Sequence, residues 1–192
     1  MIAIIKYNAG NIKSVENAIK RLGYESIITD IPEEIISADK VIFPGVGEAS
    51  SAMEYLKEKG LDKLIIELKQ PVLGICLGLQ LMCKSSEEGD THCLGIFNSR
   101  VKKFPPMDIV PHMGWNNLTD MKGALFAGIS VTNDVYFVHS YYAEICEETT
   151  AQCDYILPFG ASMQKNNFYA TQFHTEKSAA IGEQILTNFL SL

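Results

Sequence analysis

The run PVLGICLGLQ, residues 71–80, decides the fold. Val72, Leu73 and Ile75 form an apolar stretch of strand length, and LGLQLMC continues from it as a helix, so a fully buried strand runs straight into a helical turn at Cys76. Gly74 and Gly78 stand two residues to either side of that cysteine. Changing from strand to helix in one step strains the central residue, and glycine neighbours admit the sharp turn without side-chain clashes, as in the nucleophile elbow G-x-S-x-G. The thiol then stands at the carboxyl edge of a sheet and at a helix N-terminus, where free N–H groups and the helix dipole favour the reactive thiolate. Stripped of its glycines, Cys76 reads as an ordinary small buried hydrophobe.

The same alternation extends outward from the elbow. MIAIIKY is a β-branched apolar run, followed by the turn formers Asn8 and Gly10 and by Ile12, Val15, Ala18, Ile19 and Leu22 at helical spacing. YESIITD and KVIFPG read as strands, and EASSAMEYLKEKG and LDKLIIELK as helices. Strands alternating with helices predict an α/β fold with a parallel sheet covered on both faces. Beyond about residue 92 the runs VYFVHSYYAEI, AQCDYIL, ASMQK and FYATQF predict a partly antiparallel extension of that sheet, closed by an amphipathic helix with Ile181, Ile185, Leu186 and Phe189 on one face. No repeat or linker divides residues 1–192, which are expected to form one domain.

Composition excludes several functions. The 192 residues carry 23 acidic against 16 basic side chains, a net charge of −7, which argues against nucleic-acid binding through phosphate neutralisation. There is no run of roughly 18 apolar residues and no signal-peptide pattern at the N-terminus, so the expectation is a cytoplasmic protein without a membrane segment. The cysteines at 76, 83, 93, 146 and 153 are odd in number and form no C-x-x-C pair, and the histidines have no metal spacing, so reduced thiols and no metal or cofactor are expected.

A nucleophilic thiol needs a base. His174, in FYATQFHTEKS, sits at the end of a predicted strand just before the last helix, and Glu176 follows at i+2. On an extended segment those two side chains share one side, so the carboxylate can fix the imidazole tautomer while the other nitrogen faces the thiol. Taken alone, Glu176 is equally explained as an acidic first-turn residue of the closing helix. Pro44-Gly45-Val46-Gly47 follows the strand VIF and could supply backbone N–H groups for an oxyanion hole, or be a plain strand-to-helix turn.

Together PGVG at 44–47, GICLGLQ at 74–80 and FHTEKS at 173–178 resemble, in order and separation, the signature segments of class I glutamine amidotransferases. The resemblance implies that family's flavodoxin-like three-layer sandwich and a glutaminase in which Cys76 attacks the side-chain amide of L-glutamine. In that chemistry His174 protonates the departing ammonia and Glu176 orients His174. It further implies that Gly45, Val46 and Gly47 border the oxyanion site with the Leu77 amide as second donor, and that Gln80, Glu88, His139, Ser140 and Tyr141 lie beside the substrate. Within the family, YNAGNI at 7–12, PHMGWN at 111–116 and YFVHSYY at 136–142 resemble the glutaminase subunits of imidazole glycerol phosphate synthases. Those subunits dock on a (β/α)₈-barrel synthase subunit of histidine biosynthesis, and the resemblance puts Asn11, Trp115, Tyr136 and Lys177 near the partner. The alternatives to that reading are a paralogue feeding another synthase, for example one amidating a surface sugar, and a non-catalytic scaffold of the same fold. One residue departs from the family: Thr175 stands where Phe-His-Pro-Glu is usual, giving up the fixed φ of proline.

Overall fold

A computed structural model describes residues 1–8 and 10–192; Ala9, inside the YNAGNI segment, lies outside them. The first half alternates β1 (Ile2–Ile5), α1 (Ile12–Arg21), β2 (Ser26–Thr29), α2 (Pro32–Ser37), β3 (Lys40–Phe43), α3 (Ala49–Glu58), α4 (Leu61–Glu67), β4 (Val72–Ile75) and α5 (Leu77–Met82). The second half holds β5 (Ser85–Ser86), β6 (Thr91–His92), β7 (Arg100–Lys103), β8 (His112–Asn117), β9 (Asp134–His139), β10 (Tyr141–Ala143), β11 (Thr149–Tyr155), β12 (Leu157–Lys165), β13 (Phe168–Thr171) and α6 (Ala179–Leu190). The sheet runs β2-β1-β3-β4-β13-β12-β10-β7-β5-β6, with β11 also pairing β12. Its β2-β1-β3-β4-β13 portion is parallel throughout, and β12, β10 and β11 continue it in antiparallel fashion.

Strand alternation sorts side chains between two cores. Ala3, Ile5, Val41, Phe43 and Val72 point to the face covered by α2 to α5, while Ile2, Ile4, Ile42, Leu73 and Ile75 point to the face covered by α1 and α6. Fully buried side chains such as Ile4, Ile5 and Phe43 each stabilise the fold by about 1.5–3 kcal/mol. A short helix that the apolar pattern did not reveal, α2, begins with Pro32 at its first turn and Glu33 and Glu34 beside it, where fixed φ and acidic charge both favour a helix start.

The run VYFVHSYYAEI does not stay in one sheet. It breaks at Ser140: β9 pairs with β8 in a separate two-stranded sheet, and β10 joins β7 and β12 of the main one. An aromatic cluster fastens the β8–β9 ribbon to the main sheet. The His112 ring stacks on Tyr155 at 4.0 Å and on Phe137 at 4.7 Å, and His139 lies 5.1 Å from Phe159. His139 Nδ1 is 2.8 Å from the Tyr141 carbonyl, which only accepts, so Nδ1 carries the proton and Nε2 accepts from His112 Nδ1 at 3.0 Å. Burial pushes His112 down to about 4 and His139 to about 3, so both rings are neutral at pH 7.

The elbow depends on close approach between helix and strand. A Cβ on Gly78 would lie 1.9 Å from the Phe43 carbonyl oxygen, and one on Gly74 would lie 2.9 Å from the Gly78 carbonyl carbon. Gly78→Ala is therefore expected to cost at least the upper end of the about 1–3 kcal/mol of overpacking. Gly60→Ala, in open space at φ 68°, should cost only the about 1–2 kcal/mol of left-handed backbone. Urea unfolding compares them, and equal losses would contradict the packing account. The two histidines set the sign of the acid limb. Below the ordinary value of 6.5 the unfolded chain binds protons that native His112 and His139 refuse, so stability falls as pH drops from about 6.5 towards 4. His112→Gln should flatten that loss in pH-dependent thermal unfolding, and an unchanged slope would contradict it.

Candidate active site

Cys76 joins β4 to α5 at φ 54°, ψ −105°, a conformation that costs a non-glycine residue of order 1–3 kcal/mol. Backbone bonds to separate elements hold it there. Its N–H donates to Thr171 O at the end of β13 (2.8 Å), the Leu77 N–H donates to Gly45 O (3.2 Å), and its own carbonyl accepts the Gln80 N–H (3.3 Å). The thiol stands 3.9 Å from the Val138 carbonyl. The Leu77 amide, expected free at the helix start, is thus engaged by the PGVG segment.

His174 follows β13, the parallel neighbour of β4, so cysteine and histidine leave the same edge of the sheet. The segment after His174 is a single tight 3₁₀ turn, Thr175–Lys177, rather than the extended run expected from sequence, and this turn brings the carboxylate back to the ring. Glu176 Oε1 lies 2.7 Å from His174 Nδ1, with the two side chains 0% and 1% exposed. The same oxygen accepts from Asn11 Nδ2. The His174 backbone is clamped to β9: its N–H donates to Tyr136 O (2.9 Å), and Ser178 Oγ donates to His174 O (2.6 Å) while accepting the Tyr136 N–H (2.9 Å).

His174 Nε2 makes no hydrogen bond of ordinary geometry among the described residues. Burial pushes the imidazole pKa down, but the neighbouring Cys76 sulfur and the Glu176 carboxylate outweigh it and raise the ring to about 10. The ring is thus placed between a sulfur and a carboxylate, with Nδ1 facing Glu176.

Beside the sulfur opens a cavity of about 280 Å³, lined by Val46, Gly47, Cys76, Leu77, Gln80, Glu88, Pro111, Val138, His139, Ser140 and Tyr141. Gly45 is not among them. It lies against the Tyr7 ring, whose hydroxyl donates to Pro44 O and occupies the place a Cβ on Gly45 would need, 1.9 Å away. Glu88 accepts the Ala49 N–H at 2.8 Å, and burial raises its pKa, leaving one acidic group on the cavity wall. Gln80 Nε2 donates to Tyr141 O at 2.9 Å and to Gln172 Oε1 at 3.1 Å, and Gln172 Nε2 lies 3.6 Å from the sulfur. Gln172 was not singled out by sequence reasoning; its signal is a polar residue inside the buried run FYATQF.

Of the residues expected near a partner, Trp115 is 54% exposed and meets Tyr136 edge-on at 5.7 Å across the β8–β9 ribbon. Lys177 is exposed, whereas Asn11 is half-buried on the Glu176 carboxylate. Exposed Met113, Met107 and Ile109 lie on β8 and the loop before it.

The family model for glutamine amidotransferase class-I matches residues 3–191. Curated relatives span the whole chain. The imidazole glycerol phosphate synthase subunit HisH of Bacteroides fragilis (strain YCH46) is 59% identical, and that of Bacteroides thetaiotaomicron 57%, each alignment covering 100% of this chain and 99% of the relative. The HisH of Yersinia pseudotuberculosis is 45% identical with the same coverage. Among solved structures, a glutamine amidotransferase superposes with a TM-score of 0.77 at 18% identity, covering 100% of this chain and 98% of that one. A glutamine amidotransferase from Thermotoga maritima superposes with a TM-score of 0.67 at 16% identity, covering 99% of this chain and 82% of that one. At those identities the structures speak for the fold, and the family match and the full-length relatives speak for descent: the chain belongs to the class I glutamine amidotransferases.

Proposed function

We propose that this chain is the glutaminase subunit of an imidazole glycerol phosphate synthase, releasing ammonia from L-glutamine for a (β/α)₈-barrel partner. The observation that carries the reading is the row Glu176, His174, Cys76, with Cys76 on the cavity wall, His174 and Glu176 buried behind it, and the imidazole raised to about 10 by the groups on either side. Cys76 sulfur attacks the side-chain amide carbon, forming the S–C bond. His174 delivers the Nε2 proton to the amide nitrogen as the C–N bond breaks, so ammonia leaves and a γ-glutamyl thioester stays on Cys76. His174 then takes a proton from water, whose oxygen displaces the sulfur and yields glutamate. Glu176 keeps Nδ1–H in place through both steps. Glu88, Gln80, Ser140 and Tyr141 are assigned to the amino-acid end of glutamine, and Val46 and Gly47 to the developing oxyanion.

Two features support dependence on the partner. The Leu77 amide is bonded to Gly45 O, so an oxyanion hole using that amide needs the PGVG segment to turn away. The β8–β9 ribbon, with exposed Trp115 at one side, is bonded directly to the His174 backbone, giving a docked surface a mechanical route to the site. Trp115, Tyr136, Lys177 and Asn11 are assigned to that docking face.

Glutamine turnover of the purified chain, alone and with the barrel partner plus its nucleotide ligand, tests the reading: the complex should be at least tenfold faster, and equal rates would refute partner dependence. Cys76→Ala in the complex should lower turnover by a factor of about 10³ or more; retention of activity would exclude the thioester route. Thr175 supplies a separate check. Its hydroxyl is buried without a partner, its N–H makes no hydrogen bond among the described residues, and it opens the 3₁₀ turn after an extended His174. Thr175→Pro should therefore stabilise by about 1 kcal/mol in urea unfolding and keep turnover within about twofold. Destabilisation would show that the hydroxyl or the amide is used.

A further inference from the structure

Gln172 is wholly buried between the end of β13 and His174, and neither end of its amide is free to be read the other way round. The Tyr141 carbonyl only accepts, so the Gln80 atom 2.9 Å from it is the nitrogen. That nitrogen lies 3.1 Å from Gln172, whose facing atom is therefore oxygen, and the Gln172 nitrogen is left for the Cys76 sulfur at 3.6 Å. The Tyr141 carbonyl is itself fixed, since it also accepts from His139 Nδ1 at 2.8 Å. A buried amide is thus locked by two neighbours into presenting N–H to the nucleophile.

Beside the ionisable ring of His174, Gln172 is the neutral donor that the sulfur has among the described residues. The first helix amide, Leu77, is spent on Gly45, and Val138 presents a carbonyl oxygen 3.9 Å away, which repels a thiolate. We propose that Gln172 is a further residue of the reacting centre, a neutral donor whose N–H stabilises the Cys76 thiolate and fixes the direction of its lone pairs, with Gln80 and the Tyr141 carbonyl holding it in register. A hydrogen bond to a charged acceptor is stronger than one to a neutral group, so the contact favours the thiolate over the thiol. Gln80, which also faces the substrate cavity, then serves twice, because substrate contacts that move it also move the donor on the sulfur.

The inference rests on Cys76 being the nucleophile, and its test reads the thiol directly. The rate of iodoacetamide alkylation at Cys76, followed by peptide mass spectrometry across pH, is compared for the full chain and for Gln172→Met, which keeps the bulk and removes the donor. The variant should react about tenfold more slowly at pH 7, with its half-maximal rate shifted up by about one pH unit, since one unit corresponds to a tenfold change. Gln80→Met, which unlocks Gln172 without removing it, should shift the profile in the same direction by less, and it decides the matter if Gln172→Met fails to fold. A residue that only fills space would alter the unfolding midpoint and leave the pH profile in place, and that result overturns the proposal. Absence of glutamine hydrolysis in the wild-type complex would count against the glutaminase reading alone, because the alkylation profile does not depend on turnover.

Discussion

The backbone of Cys76 is the constraint from which the site follows. A residue at φ 54°, ψ −105° is held only because its N–H is tied to β13, the next amide to the PGVG segment and its carbonyl to α5. Those three ties place the sulfur between the strand that delivers His174 and the segment that borders the cavity. The strain is offset by the packing of Gly78 onto the Phe43 carbonyl, a contact that no side chain at position 78 would permit. Fold stability and the aim of the nucleophile are therefore set by the same few atoms.

Around that point, polar groups are arranged in two chains that meet at the Tyr141 carbonyl. One runs from Asn116 on β8 through the neutral rings of His112 and His139, and the other from the sulfur through Gln172 and Gln80. A third connection, through Tyr136 and Ser178, grips the backbone of His174 from the same ribbon. The β8–β9 ribbon thus touches both members of the reacting pair, although it belongs to neither the main sheet nor the elbow. A partner bound to its exposed side would act on geometry already wired to the sulfur and the imidazole.

The parallel part of the fold was legible because each strand is short, apolar and followed by a helical spacing, so MIAIIKY, KVIFPG and PVLGIC became β1, β3 and β4 close to where the pattern placed them. The pattern could not report partner choice: the alternation in VYFVHSYYAEI continues through Ser140, while the chain there changes sheets. The spacing of Cys76, His174 and Glu176 suggests their grouping, but a 3₁₀ turn and not an extended segment brings the last two together. Gln172 is not legible in the sequence because its amide is placed by groups remote along the chain, Gln80 and Cys76 directly and the Tyr141 carbonyl through Gln80. The engaged Leu77 amide is likewise a matter of tertiary hydrogen bonding that a glycine-rich motif cannot encode.

The most direct measurement is covalent labelling with a glutamine analogue that carries an electrophilic carbon in place of the side-chain amide, mapped by peptide mass spectrometry in the assembled complex. The account predicts one adduct, on Cys76, suppressed by glutamine and slowed when His174 is replaced by asparagine. Labelling spread over Cys83, Cys93, Cys146 and Cys153, or labelling of Cys76 indifferent to both glutamine and His174, would contradict it.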